Sequence, residues 1–397
     1  MIKHVNPSLK QDLLIPEQEF EQRLGKAQKK MSEQGFDGLL MFSDGYRPGH
    51  NRYFANYIPS SLWRVSMLIL PAKGEPTLVI DREFLLKHAK EISPIADVRA
   101  ITSPWHSGPQ FLELVNRVLK EKGLAKKQIG VVGLDIMPAT FYESLRRGSP
   151  EVIFGDATAL SEEIRRTKSD KEIELLMEAV RIAEIGLKTA VSVIRPGMTE
   201  LEVAAETRKA MIKANEYYCA PFPYFYIQSG LESEVPQRVP FATEKVIEEG
   251  DIILMDVGVS YGGYCADLSR TCVAGRPSEQ AQRLLRAAAS VSEAACEAAT
   301  PGSTPSEITK VALKTLLALG YEKENLFQAY QGHSIGIEVG ESPLITEHDY
   351  TRLELGMVFC VEPGIGVKGL GGARVEDMVL VTTERPKYLS SMERCLL

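Results

Sequence analysis

The sequence predicts an α/β protein of two domains, and three observations carry that expectation. Residues 1–157 alternate amphipathic helical runs with apolar strand runs, the pattern of an α/β layer. Residues 158–397 combine long helical runs with strand pairs folded about glycine turns. The length of 397 residues exceeds one ordinary domain and suits two.

The first helix is read from EQEFEQRLGKAQKKMSEQG, an amphipathic run that stops at glycine. DGLLMFS, VSMLILP, EPTLVID and QIGVVGLD are apolar runs that read as strands. PQFLELVNRVLKEKG is a helix between the last two. GVVGLD is too short a glycine pattern to hold a nucleotide phosphate. In the second domain a long helix runs through SDKEIELLMEAVRIAEIGLKTAVSVI, with Ser169 as N-cap and Glu172 as its capping-box partner, and ends at Arg195-Pro196-Gly197. TELEVAAETRKAMIKAN follows as a helix, and residues 277–321 supply two more. IRPGMTELEVAAE and ATPGSTPSEITKV are alike: each ends one helix at Pro-Gly and begins another, which fits an internal duplication about a pseudo-twofold axis.

The chemistry is concentrated in the second domain. DIILMDVGV reads as a strand bearing Asp256, Tyr261-Gly262-Gly263-Tyr264 as a hairpin turn, and CADLSRTCV as the returning strand with Asp267. MVFCVEPGIGV bears Glu362, a glycine-rich turn follows, and ARVEDMVLVT returns with Glu376. His333 stands in QGHSIG. Four acids from two hairpins can converge on one face. Without a cation they would repel, and at least one would take up a proton. Two divalent ions of the Mn, Fe, Co or Zn type accept this set of carboxylates and one imidazole. Such a pair polarises a carbonyl and activates water.

With those segments in view, and with RRTKSDKEIELLMEAVRIAE, LELGMVFCVEPGIG and ARVEDMVLVT, nearly the whole chain resembles the pita-bread metallopeptidases: prolidases, proline aminopeptidases, methionine aminopeptidases and creatinase. The resemblance implies an N-terminal creatinase-like α/β domain over 1–157, contributing substrate and dimer contacts. It implies a C-terminal pita-bread catalytic domain over 158–397, with a curved antiparallel sheet and a pseudo-twofold repeat. It also implies a dinuclear site of Asp256, Asp267, His333, Glu362 and Glu376, with Glu362 as general base, and a homodimer.

The chain departs from those peptidases at two histidines that hold the substrate and protonate the leaving nitrogen. No histidine lies between His106 and His333, and Gln237 or its neighbour stands at the first position. Gly340 stands at the second, and His348 lies further on, in a surface loop of the family pattern. Glu341 or Glu338 could act as the replacement proton donor if burial raises its pKa. Arg374, two residues before Glu376, could orient the carboxylates. The aromatic stretch Tyr217–Tyr226 reads as a pocket wall, with Tyr226 and Gln237 as substrate contacts. In the first domain Arg64, or Arg52, could bind a substrate carboxylate.

The expected function is metal-dependent hydrolysis of a C–N bond in a small molecule or dipeptide, with a substrate altered from Xaa-Pro peptides. A lyase, such as the dimethylsulfoniopropionate-cleaving relative, or a non-peptide amidase is the alternative, and a non-catalytic binding protein the second alternative. A net charge of -7 argues against a nucleic-acid partner. No run reaches transmembrane length, and the start lacks an apolar signal region, so a cytoplasmic protein is expected. The six cysteines form no CxxC pair and no disulfide framework, and Cys265 and Cys360 read as small buried residues.

Overall fold

A computed structural model describes residues 14–59, 64–101, 108–215, 224–235, 241–327 and 330–397. The chain divides into two compact units, Met1–Arg165 and Arg166–Leu397. The break falls beyond residue 157, where the sequence pattern placed it, because one further helix belongs to the first unit.

In that unit six strands form one sheet: β1 (Gly38–Asp44), β2 (Val65–Pro71), β3 (Thr77–Ile80), β4 (Asp97–Ala100), β5 (Gln128–Val132) and β6 (Ile153–Asp156). Their order is β4-β3-β2-β1-β5-β6. β2 runs antiparallel to β1 and β3, and the outer pairs are parallel. The helices are α1 (Glu17–Glu33), α2 (Gly49–Ala55), α3 (Leu86–Ile92), α4 (Gly108–Glu121), α5 (Ala139–Gly148) and α6 (Thr158–Arg165). The inner strands are buried along nearly their whole length, as befits a sheet covered by helices. Helix α6 buries Leu160 and Ile164 and packs on α1 and β5, which ties it to this unit.

Among the described residues the second unit has four α-helices, α7 (Asp170–Val193), α8 (Glu200–Ala214), α9 (Glu279–Glu297) and α10 (Pro305–Ala318). Ser169 caps α7 with Glu172 as the reciprocal partner. The two segments that look alike in sequence start α8 and α10 with the same device: Thr199 with Glu202, and Thr304 with Glu307, each a complete capping box. Helices α7 and α8 back a three-stranded antiparallel sheet of β7 (Tyr224–Ser229), β8 (Ile252–Tyr261) and β9 (Tyr264–Val273). Helices α9 and α10 back the second half, built from β10 (Tyr330–Ser334), β11 (Glu341–Thr346), β12 (Val358–Val361), β13 (Gly364–Val367), β14 (Gly371–Arg374) and β15 (Asp377–Leu380). Its main sheet runs β11-β10-β12-β15-β16, with β16 the short edge strand Lys387–Tyr388, and β13 pairs with β14. All these pairings are antiparallel. A bridge between Ser269 and Glu376 joins the two halves, with the Glu376 amide donating to the Ser269 carbonyl at 3.0 Å.

The β8–β9 turn is as read from the sequence. Gly262 (φ 57°) and Gly263 (φ 91°) supply the left-handed pair that a tight hairpin demands. The second hairpin differs from the expected continuous strands. It breaks into β12 and β13 at Glu362-Pro363, and into β14 and β15 at Val375-Glu376. Proline has no N–H for the ladder, so the strand yields beside Glu362. The register nevertheless continues across the gap, from Val361 opposite Asp377 to Gly364 opposite Arg374.

A buried ion network anchors the joint between the halves. Arg270 of β9 is fully buried and donates to the carbonyls of Ser269, Glu376, Met392 and Glu393 and to the Asp377 carboxylate at 2.6 Å. Asp377 also accepts from Ser390 at 2.7 Å and Arg394 at 2.6 Å, so it fixes the C-terminal segment as well. Burial alone would raise the Asp377 carboxyl, but Arg270, the Ser390 hydroxyl and Arg394 hold it below the usual range. Among the described residues no helix is long and apolar enough to cross a membrane. Replacing Asp377 with alanine leaves Arg270 buried without its counter-charge. The expected loss is about 3–5 kcal/mol of unfolding free energy, measured by denaturant titration.

Candidate metal centre

Strand register explains how the acids meet. On β8, Asp256 lies opposite Ser269, and Gly258 lies opposite Asp267. Asp256 and Asp267 are therefore diagonal neighbours on one face of the hairpin. Glu362 and Glu376 occupy the two breaks of the second hairpin, facing each other in the continuing register. His333 on β10 lies opposite Cys360 on β12. All five residues are buried.

Their surroundings set their charges. Arg374, itself buried, donates to Glu362 Oε2 at 2.9 Å, to Asp256 Oδ2, and to the Ser269 hydroxyl at 3.1 Å. Burial alone would lower its pKa, but the four surrounding carboxylates hold it above the usual value. Burial, then repulsion from Asp256 and Glu362, pushes the Asp267 carboxyl well above its ordinary range. Burial, then Asp267, Glu362 and Asp256, does the same to Glu376. Glu362 is raised by burial, with Arg374 and His333 opposing. His333 Nδ1 lies 3.0 Å from the Ser334 carbonyl, which can only accept. That nitrogen therefore donates to the carbonyl, and Nε2 lies 3.6 Å from Glu362 Oε1 and 3.8 Å from Asp267 Oδ2.

The set fits divalent metal on its own evidence. Among the described residues, Asp256 Oδ1 and both oxygens of Glu376 are buried without a hydrogen-bond partner, a costly state for carboxylates. Asp256, Asp267 and Glu376 bring one oxygen each within 4.8 Å of one another. Arg374 is one cation among four acids. A metal occupying this cluster would satisfy the orphaned oxygens and remove the repulsion.

A cavity of ≈ 360 Å³ opens on the cluster, with Asp256, Asp267, His333 and Glu362 in its wall. Tyr224, Tyr226, Tyr330, Val339, Gly340 and Leu344 complete the lining. Tyr224 lies over Gly258, where any Cβ would stand 2.0 Å from the ring. This close approach lets the phenol reach across β8 and donate to Asp267 Oδ1 at 2.7 Å. Burial, then Asp267 and Asp256, holds that phenol well above its ordinary pKa, so it remains a donor. Tyr226 stacks on Tyr224 with ring centres 4.7 Å apart and lines the cavity.

Other expectations fare differently. Glu341 and Glu338 do not line the cavity. Glu341 is buried against Lys168, with Oε2 at 3.1 Å from Nζ, and its Oε1 accepts from the amides of Ile337 and Glu338. It latches the turn after β10 and is not placed to donate a proton to substrate. Arg64 lies in the first unit, buried and 3.5 Å from Asp81, so its guanidinium already faces a carboxylate. Gln237 and Tyr217–Pro223 lie outside the described residues. Tyr330 and the proximity of Cys360 to the ligands were missed. Period-2 alternation from Glu362 could have found Cys360, whereas the Lys168–Glu341 pair spans 173 residues and left no local signal.

Comparison with known proteins agrees with this geometry. Residues 174–383 match the model of metallopeptidase family M24, and residues 23–167 match the creatinase/prolidase N-terminal domain. The chain is 31% identical over 378 residues to an Xaa-Pro dipeptidase of Pyrococcus furiosus, covering 95% of this chain and 99% of the relative. Among solved structures it is similar to an Xaa-Pro dipeptidase from Bacillus anthracis (27% identity, TM-score 0.83, 95% of this chain and 99% of that one). It is also similar to the prolidase of Pyrococcus horikoshii OT3 (28% identity, TM-score 0.83, 95% and 100%).

Two outcomes follow from the site. Asp267 and Glu376 have raised folded-state pKa values, so their contribution to stability is present in the acid range and lost as pH rises toward and through the raised values. Metal-free protein should therefore melt at lower temperature on going from mildly acidic to alkaline buffer. The gain in melting temperature on adding Mn, Co or Zn should grow over the same interval, because metal competes with those protons; calorimetry across pH measures both. For Glu341, the double substitution Lys168→Met with Glu341→Leu should leave kcat within about threefold of wild type. Glu341→Leu alone should cost about 3–5 kcal/mol of stability by exposing an unpaired buried lysine.

Proposed function

The chain belongs to metallopeptidase family M24 and is a metal-dependent peptidase, and from that premise we propose that it uses two divalent ions to hydrolyse a C–N bond in a small substrate other than an ordinary Xaa-Pro dipeptide. The carrying observation for the ions is the pair of orphaned Glu376 oxygens within four buried carboxylates served by one arginine. Asp256, Asp267, His333, Glu362 and Glu376 would hold them, in the Mn, Fe, Co or Zn class. When bound, the ions activate water and polarise the carbonyl under attack.

The protein's own groups do the rest. Glu362 lines the cavity, and burial raises its carboxyl toward the range useful for accepting a proton from water. Arg374 fixes Glu362 Oε2 and Asp256 Oδ2, so the carboxylates keep their orientation through the reaction. Tyr224 fixes Asp267 in the same way. The substrate meets phenols and aliphatic side chains: Tyr226, Tyr330, Val339 and Leu344. A homodimer is part of this reading, carried by the likeness to the family.

The altered substrate follows from Gly340. This residue lines the cavity, and by the family resemblance it occupies the place of an imidazole, so in this reading no histidine there protonates a departing proline nitrogen. A Cβ built on Gly340 meets nothing within 4 Å, so the position has room for a side chain. Gly340→His should raise kcat/KM on Xaa-Pro dipeptides by about tenfold or more, within the range of one acid–base group. Wild-type turnover of those dipeptides should be correspondingly weak. Fast wild-type cleavage of them, unimproved by Gly340→His, would remove the altered-substrate reading and leave an ordinary prolidase.

A further inference from the structure

We propose that Cys360 enters the metal centre as a sulfur donor, making its two ion positions chemically unlike: one all-oxygen, the other thiolate, imidazole and carboxylate. This rests on the two-metal reading above and adds to it a residue and a metal preference.

The placement is dictated by register. Cys360 lies directly opposite His333 across β10 and β12. It precedes Glu362 by two residues, which puts both side chains on one face. Its partner on β15 is Met378, and Glu376 is two residues from Met378 toward the break. One donor atom each of His333, Cys360 and Glu376 lies within 4.8 Å of the others, and all three residues are buried. Zinc takes sulfur at about 2.3 Å and imidazole nitrogen at about 2.0–2.1 Å around a tetrahedron, which sets two such donors about 3.6 Å apart. Donors within 4.8 Å of one another enclose an ion once each pair closes by up to about 1.2 Å.

Two independent features aim at that point. Glu376 is 1% exposed, and neither of its oxygens has a hydrogen-bond partner among the described residues. Glu376 also belongs to the other triad, with Asp256 and Asp267, whose donors are all oxygen. One carboxylate with two unengaged oxygens shared between two triads is the geometry of a bridge. His333 supplies the second feature: its Nδ1–H is held by the Ser334 carbonyl, so Nε2 is the ring nitrogen that faces the carboxylates. The Cys360 sulfur makes only a long contact, 3.8 Å, to the Asp267 carbonyl, which coordination would outweigh.

The consequence is selectivity. A thiolate and imidazole favour zinc, cobalt and iron, while an all-oxygen triad suits manganese. The sulfur position should fill first with zinc or cobalt. Cys265 is a useful control, because it is buried on β9 with its sulfur on the Ile337 carbonyl at 3.6 Å and belongs to neither triad.

The test loads chelator-stripped full-length protein with cobalt(II) and records its absorption. A near-ultraviolet sulfur-to-cobalt band that arises with the first equivalent, survives Cys265→Ser and vanishes in Cys360→Ser is expected. Zinc affinity should fall about tenfold or more in Cys360→Ser, with manganese affinity changing by less than about threefold. Should Cys360→Ser fail to fold, X-ray absorption at the zinc edge of wild type decides: a sulfur scatterer at about 2.3 Å supports the ligand, and its absence overturns it. Bound cobalt with only visible ligand-field bands, or a near-ultraviolet band that persists in Cys360→Ser, overturns the thiol ligand and leaves the two-metal reading standing. No retained cobalt overturns both.

Discussion

Burying one carboxylate is costly unless it is paired or hydrogen-bonded, and this protein buries four within reach of one another. That concentration of negative charge is the constraint on which the second unit is organised. Arg374 engages two of the acids, the Tyr224 phenol engages a third, and among the described residues the Glu376 side chain has no hydrogen-bond partner. The strand that carries Glu376 is instead secured through its backbone, by the bridge to Ser269 and by the buried Arg270. The fold therefore fixes where the carboxylate sits while leaving its oxygens uncommitted. A stability optimum would have placed apolar side chains there. The arrangement makes sense as a site held ready for cations.

Much of this was legible in the sequence where local rules suffice. DIILMDVGV, YGGY and CADLSRTCV announce a hairpin by period and turn chemistry, and the hairpin forms with the expected glycine pair. The capping boxes at Ser169, Thr199 and Thr304 mark helix starts because the partner lies three residues away. Short or charged strands escaped, since DVRA and IFGD offer neither alternation nor a long apolar run. The break at Glu362-Pro363 was also missed: an apolar run that straddles a proline reads as one strand until its pairing is known. Glu341 shows the deeper limit. Its neighbourhood suggested a proton donor, but Lys168, far away in sequence, claims it. The boundary at 157 failed for a similar reason, because only packing shows that Thr158–Arg165 rests on α1 and β5.

The two halves of the second unit share a plan but not a role. Each begins a helix with a threonine–glutamate box, and each offers a hairpin with two acids. The first half gives the shorter aspartates, both in the cavity wall. The second gives the longer glutamates, of which Glu362 reaches the cavity and Glu376 stays beneath it. Histidine comes from the second half alone, on the strand next to Glu362. A duplicated frame thus yields an asymmetric centre, with one side open to substrate and the other sealed by strands. An asymmetric reaction needs this, since water must be activated on one side of a carbonyl and the leaving group released on the other.

Separating the metal frame from proton delivery clarifies what can vary. The acids are held by register, by Arg374 and by the Arg270 network, all within the sheet. After β10 the cavity wall includes Gly340, with open space around it, and the nearby Glu341 is bound to a lysine. A change of side chain at Gly340 would cost the frame nothing, because a Cβ there meets no neighbour within 4 Å. Specificity can therefore drift through cavity-wall residues while the cation cage persists, and a close fold match fixes the cage more firmly than the substrate.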